Sequence, residues 1–533
     1  MKNVIKYTFS IALLTTVGCQ HQLDIDNPNQ PTLPSVQSEL GIISLAQGAL
    51  YVNGFRANKF GGSYFGVVLR YHEAMGDIIG VDFANFEFNL ISCPDQITLD
   101  DNTTLNSVNP KGQVQFLRDR NIPSSQANPF YHEWALMYAL NGAMNSVLEN
   151  VDFVDMSKDK RNTIRAWAYY WKGFAYSRIG SIYIAGIINN TTNKTNNQYV
   201  AKETLLLEAE ANLGKAEEIL NSISVDADYQ NVLDKLIPSV CKPGKGGVPG
   251  KLEWIRNINT LRARNILVNS TVASMTTEQW NQVLNLTLNG IGELDNTFTV
   301  RSDAQSNLLS TNGHVAAGTI GPESNGGGAN KVSERLIQDF KPGDLRLMNN
   351  FRAISTWIGS RVYGTSFNTR YMLVDKGNGL PGVVVMCNRG IGAHELYIAG
   401  SYEENILMQA EANIYLGHIE TGLSLIDELR VYLGAGLAPV AGAGLTEDEA
   451  KEELRRERRV ALAFRGFAFY DARRWGVLEN ARSGCTVIDF VGNVHTNATI
   501  NYGYLDYWDV PIAELFYNPP APGSAPVENP KGL

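Results

Sequence analysis

Residues 452–476 read EELRRERRVALAFRGFAFYDARRWG, and this stretch decides how the rest of the chain is read. It opens as a charged helix: Ala450, Leu454, Ala461 and Leu462 recur at helical spacing, with Arg455, Arg456, Arg458 and Arg459 between them. The helix is expected to pass without a break into Phe464, Phe467, Phe469, Tyr470 and Trp475, beside which stand Asp471, Arg473 and Arg474. Guanidinium groups in such number next to rings and carboxylates suit stacking and buried Arg–carboxylate pairing. The glutamates of the segment balance its arginines, so an internal ion-pair network is preferred to a nucleic-acid patch.

Amphipathic helices surround this segment. Residues 134–151 carry Ala135, Tyr138, Ala139, Ala143 and Val147 along one stripe, and residues 161–180 carry Ile164, Trp167, Ala168, Trp171, Ala175 and Ile179 before stopping at Gly180. Residues 205–220 form a third helix, and 403–417 with 422–433 a helix–turn–helix hinged at Gly417. In that pair Ala410, Gly417, Gly422, Ile426 and Leu429 fall at tetratricopeptide-like offsets, where small residues admit close helix approach. Gly173, Tyr176 and Gly180 repeat the first part of the pattern. Residues 60–129, 242–250 and 321–330 are rich in Asn, Gly, Thr and Ser, and loops of such length usually carry function. The expected fold is mainly α: helix pairs packed against a loop-rich subregion inserted at about residues 240–400. The prolines after Trp508 predict a tail laid as an extended strap over the body.

The chain of 533 residues has a net charge of -9 and a pI near 5.4, which argues against nucleic acid and anionic lipid surfaces as partners. Lys2 and Lys6, an apolar run to Val17 and then Gly18-Cys19 describe a secretory signal over residues 1–18, too short to span a bilayer. Residues 19–34 read as a polar tether and 35–533 as a single domain. Cys93, Cys241, Cys387 and Cys485 show no C-x-x-C spacing; disulfides and buried thiols both remain open.

The stretch 457–476 resembles the C-terminal signature of the SusD/RagB family of outer-membrane nutrient-binding lipoproteins, which runs roughly E-x-x-L-R-x-E-R-R-x-E-L-A-F-E-G-x-R-F-Y-D-L-R-R-W-G. The likeness covers Glu457-Arg458-Arg459, Leu462-Ala463-Phe464, Gly466, Phe469-Tyr470-Asp471 and Arg473-Arg474-Trp475-Gly476. Ala461 and Arg465 stand where the family usually has Glu. The segment Trp508-Asp509-Val510-Pro511-Ile512 with Glu514-Leu515 and Asn518-Pro519 is similar to the family's closing pattern, and Gly18-Cys19 resembles a lipobox that would lipidate Cys19. The resemblance implies a SusD-like, tetratricopeptide-like fold and an outer-membrane location facing the exterior. It further implies a TonB-dependent β-barrel transporter, SusC-like, as partner, with the membrane reached through the lipid alone.

No nucleophile elbow, H-E-x-x-H or phosphate loop occurs, so an enzyme is not the leading reading and no cofactor or metal is expected. His72 and His418 read as packed or surface residues. Carbohydrate recognition needs aromatic faces for sugar C–H surfaces and Asp, Asn or Arg for hydroxyls. Asp77, Asp82, Asn85 and Phe86 in the early loops, with Trp357, Arg361 and Tyr363 in the late ones, supply that set. These are the candidate ligand residues, Trp357 first. The resemblance implies capture of an oligosaccharide for import, with this protein sitting as a hinged lid over the transporter. A peptide-binding relative and, further off, a glycoside hydrolase acting through paired carboxylates are the alternatives.

Overall fold

The structure, a computed structural model, describes residues 36–56, 58–82, 85–108, 111–123, 126–192, 194, 196–300, 330–359, 368–373 and 395–531. It is mainly helical. Helix α1 (Glu39–Gly48) starts at Ser38, whose hydroxyl accepts the Gly41 N–H. Helices α2 (Leu69–Met75) and α3 (Gly112–Asp119) lie inside the stretch read as the first long loop. Helix α4 (Pro129–Asn150) begins where Asn128 accepts the Phe130 N–H and Pro129 takes the first helical position, which has no intrahelical partner to lose.

Helices α5 (Lys158–Ile182) and α6 (Lys202–Ser222) pack antiparallel, and the glycines explain how closely. A Cβ on Gly173 would lie 2.8 Å from Leu213, and one on Gly180 would lie 3.1 Å from Leu206 and from the Lys202 carbonyl oxygen. Next come α7 (Asp226–Leu236), α8 (Lys251–Val268) and α9 (Thr277–Leu288). The last two correct the expectation of a loop-rich stretch from about 240: Trp254, Ile258 and Leu261 form a buried helical stripe directly after the glycine-rich 242–250. Short helices α10 (Glu334–Asp339) and α11 (Leu345–Asn350) precede α12 (Tyr402–Tyr415) and α13 (Ile419–Tyr432). In this pair a Cβ on Gly422 would meet Ile414 at 2.5 Å and the Ala410 carbonyl oxygen at 2.8 Å, so glycine sets the contact.

Helix α14 (Glu447–Ala461) opens with a reciprocal cap between Thr446 and Glu449. Contrary to the unbroken run expected, it ends at Ala461, and the chain reverses before α15 (Ala468–Arg474). Phe464 and Gly466 take φ +64 and +80 in the reversal. The buried Glu73 of α2 holds them there: its carboxylate accepts the N–H of Phe464 at 2.9 Å and of Gly466 at 2.6 Å. Burial pushes this carboxyl up to about 7, and the N–H donors pull the other way.

The arginines of the signature pair inward, as their number suggested. Arg458 grips Asp471 through two bonds of 3.0 Å, and Arg474 spans Asp471 and Glu411 at 2.7 and 2.5 Å. Glu457 joins Arg346 and Arg430, and Arg459 joins Asp339 at 2.5 Å while donating to the carbonyls of Gly76 and Asp77. The two departures from the family pattern also find places. Ala461 is fully buried in the apolar cluster around α12, α13 and α14, and Arg465 pairs with Glu403 at 3.0 Å. His72 is buried against Glu133 at 2.9 Å. Cys93, Cys241 and Cys485 are all buried; Cys387 lies outside the described residues.

The tail is a strap, interrupted, contrary to the expectation from its prolines, by one helical turn (Ile512–Leu515). Trp508 donates to the Ile182 carbonyl at 2.7 Å and accepts from Ile184 at 2.9 Å; Ala521 and Ala525 then bond to the carbonyls of Asn197 and Tyr199. Among the described residues no helix is long and apolar enough to cross a membrane.

Candidate functional site

Early and late parts of the chain meet edge to edge. Strand Ile79–Val81 pairs antiparallel with 330–332, and strand Phe351–Trp357 with Thr369–Leu373, Trp357 standing opposite Thr369. Lys331, in the middle of its strand, is buried, and its ammonium lies 4.5 Å from the centroid of the Trp357 ring. Burial lowers the Lys331 pKa, and the nearby Asp82 carboxylate opposes this. Asp82, Lys331 and Trp357, more than two hundred residues apart at the extremes, thus share one spot.

Rigid groups position this spot. Buried Asn368 accepts the Gly359 N–H at 2.6 Å and donates to the Ile488 carbonyl at 3.1 Å, pinning the Trp357 end of its hairpin to the hairpin 482–501. Glu334 accepts both the Arg370 N–H and its guanidinium, tying the partner strand to α10. An indole on strands fixed this way is a preorganised face.

Phe86 lies at the end of a line of rings. It sits at φ +69, a left-handed conformation that costs a non-glycine residue about 1 kcal/mol and persists only when its surroundings impose it. The Tyr71 hydroxyl donates to its carbonyl at 2.9 Å. Ring centroids then run from Phe86 to His132 (5.2 Å), His132 to Tyr131 (5.8 Å) and Tyr131 to Phe60 (4.9 Å). Lys59 lies 4.9 Å from the Phe60 ring and 5.3 Å from that of Tyr131. Burial brings His132 down to about 4, so it is a neutral spacer at physiological pH. Phe60 and Tyr131 are partly exposed, and reading the sequence did not single them out. The only local signal is an aromatic at each end of the Asn- and Pro-punctuated stretch.

Asp77 is a correction. Its carboxylate is buried and bonded by Arg335 at 2.7 and 2.9 Å, by the Ser333 hydroxyl at 2.8 Å and by the Tyr502 hydroxyl at 2.6 Å. Although burial works against it, the Arg335 charge holds its pKa well below the usual carboxylate range. Every strong acceptor direction is used, so Asp77 holds the fold and does not face a ligand. Asn85 lies in the turn Asn85–Glu87. Cys19, Arg361 and Tyr363 lie outside the described residues. Among the described residues no group of three metal-ligating side chains comes together.

Residues 402–519, which hold α12 through α15 and the start of the strap, match the model of the SusD family. Over that segment the chain is similar to the SusD/RagB family. Its fold agrees over most of its length. A SusD-like carbohydrate-binding protein from Bacteroides fragilis superposes with a TM-score of 0.56 at 15% identity, covering 90% of this chain and 98% of the other. A SusD superfamily protein from Parabacteroides distasonis gives 0.55 at 14% over 90% and 97%. One from Bacteroides thetaiotaomicron gives 0.55 at 12% over 90% and 98%. No curated protein matches the chain in sequence. The family match covers α12 to α15 and the first part of the strap, whereas Asp82, Lys331, Trp357 and the Phe60–Phe86 ring line fall outside residues 402–519.

Proposed function

We propose that this SusD-like protein captures an oligosaccharide at the cell surface and passes it to a TonB-dependent β-barrel transporter over which it sits as a lid. The carrying observation is the meeting of Trp357, Lys331 and Asp82: an aromatic face for sugar C–H groups beside a donor and an acceptor for hydroxyls. A similar fold in a carbohydrate-binding protein from Bacteroides fragilis supports the ligand class. The lid's anchor is a lipid on Cys19 with 19–34 as tether, placing the protein on the outer membrane facing outward. Tethering raises the effective concentration of lid at barrel, so their intrinsic contacts need not be strong. Ligand favours the closed lid only by the difference in its affinity for closed and open states.

The test is isothermal titration of residues 21–533 with a panel of plant and microbial oligosaccharides and with a peptide mixture, repeated on Trp357→Ala. A glycan heat weakened about tenfold in the variant supports the reading, one aromatic platform being worth about 1 kcal/mol beyond its buried area. Heat from peptides alone moves the protein to the peptide-binding alternative. Release of reducing ends would make it a glycoside hydrolase instead.

A further inference from the structure

A separate cleft of about 650 Å³ opens beside the signature, between the turn 271–274, the Tyr415 end of α12, the first two turns of α14 and residues 474–480. That volume falls inside the range of about 300–1,000 Å³ typical of small-molecule sites. A second hollow of about 250 Å³ shares Thr271, Arg474 and Glu479 with it and continues to Tyr507, so the two form one trough.

Two features of the lining select a ligand class. The first is charge. Lys451, Arg455 and Arg474 contribute three cations and Asp448, Glu452 and Glu479 three carboxylates, so the wall is neutral overall. Arg455 is committed to Glu452 and Asp339, and Arg474 to Glu411 and Asp471. Lys451 is paired with Glu447, so an anionic ligand would have to break pairs already made.

The second is a set of unspent polar groups next to fixed rings. Among the described residues the indole N–H of Trp475 and the hydroxyl of Tyr415 have no hydrogen-bond partner, though both rings are partly buried and line the cleft. The Tyr415 ring lies flat on Trp280, centroids 4.5 Å apart and planes 2° from parallel, which immobilises it. The Arg474 guanidinium backs the Trp475 ring 4.7 Å from its centroid. At the rim the Asp448 carboxylate and the Asn480 amide are exposed and likewise unpaired. Flat ring surface, two donors of fixed position, a carboxylate acceptor and an amide that serves as either make a lining for a neutral polyhydroxylated ring.

We propose that this cleft is a second ligand site, distinct from the Trp357 face, which takes an uncharged saccharide of one or two rings with Trp475 as its platform. It does not depend on the Trp357 reading.

The experiment uses the full chain carrying Trp357→Ala, so that loss of the first site cannot mask the second. Maltose, cellobiose and N-acetylglucosamine are the neutral probes, with galacturonic acid and glucosamine as charged counterparts, followed by saturation-transfer NMR. A neutral sugar is expected to bind, and Trp475→Ala to weaken it about tenfold. Because Trp475 is partly buried, Asn480→Ala and Asp448→Asn, both at exposed positions, are measured too; each is expected to lower affinity severalfold with an unchanged unfolding transition. Three results overturn the proposal: none of the neutral sugars binds, the charged probes bind better, or binding is indifferent to all three substitutions.

Discussion

Arg465 stands where the family pattern usually has glutamate, and restoring the acid should damage this protein. Arg465 donates to Glu403 at 3.0 Å and to the Ser401 hydroxyl at 3.2 Å, with its guanidinium 5.0 Å from the Tyr397 ring centroid. The Glu403 side chain is only 5% exposed, and its second oxygen has no partner. Although burial opposes it, the Arg465 charge lowers the Glu403 pKa. Arg465→Glu removes that charge and sets a like one beside it. Breaking a buried pair costs about 3–5 kcal/mol, and two carboxylates about 4 Å apart repel by roughly 4 kcal/mol at an effective dielectric of 20. The loss has a ceiling, because one carboxylate can take up a proton. At pH 7 that costs about 3.7 kcal/mol for a group with an unperturbed pKa near 4.3. The expectation is therefore a loss of about 3–4 kcal/mol at pH 7.

The same reasoning fixes the sign with pH. In the variant the folded state binds the extra proton, so its stability recovers as pH falls toward 4.3, by about 1.4 kcal/mol per unit. In the wild type the lowered Glu403 pKa gives stability that is present above that value and lost below it. Between pH 7 and pH 5 the wild-type contribution is unchanged, so the two urea-unfolding curves must converge through recovery of the variant alone. The charge swap Glu403→Arg with Arg465→Glu should regain at least half of the loss. A variant within about 0.5 kcal/mol of wild type at pH 7, the scatter of neutral surface substitutions, would refute the argument. So would a gap that does not narrow at pH 5.

Two further outcomes follow from the α2–α15 contact. Burial raises Glu73 to about 7 from 4.5, so below its unfolded value the folded state has nothing to lose, and as pH climbs to 7 stability falls by about 3 kcal/mol; the difference between wild-type and Glu73→Gln unfolding energies, followed from pH 4.5 to 8, should show that slope, and parallel curves would contradict it. A Cβ on Gly76 would lie 2.3 Å from the Ala468 Cβ and 2.5 Å from its carbonyl carbon; Gly76→Ala should cost about 2–3 kcal/mol in chemical denaturation, and adding Ala468→Gly should not rescue it, since the backbone contact stays.

What the sequence made legible was local. Helical stripes and the small residues at Gly173, Gly180 and Gly422 were readable from local spacing, and these reappear in the structure; the start at Asn128-Pro129, read as loop punctuation, was not. The helix break at 462–467 was invisible because Leu462-Ala463-Phe464 are good helix formers; what turns the chain there is Glu73, almost four hundred residues earlier. Pairing of the signature arginines was readable, but Glu411, Asp339 and Arg346 as partners were not. Helices α8 and α9 were missed because the glycines of 242–250 and 321–330 set the tone of a region whose middle is periodic. At the candidate site Trp357 and Asp82 were singled out by residue type, while Lys331, which lies beside them, has no signal in its own strand.

The misreading of Asp77 shows why the site can be built where it is. A carboxylate among aromatics looks like sugar chemistry, yet this one sits at the root of strand Ile79–Val81, and its partner Arg335 follows directly on the strand that carries Lys331. One ion pair therefore anchors both strands whose far parts bring Asp82 and Lys331 together. Arg459 of the signature reaches the same root, donating to the carbonyls of Gly76 and Asp77. Gly76, Asp77, Ser333, Arg335, Tyr502 and Arg459 together hold the geometry of that root. The residues beyond the anchored roots, Asp82 and Trp357 among them, are then free to differ without unfolding the scaffold. That division fits the proposed function: the signature helps to hold the body, and the candidate ligand residues Asp82 and Trp357 lie beyond it.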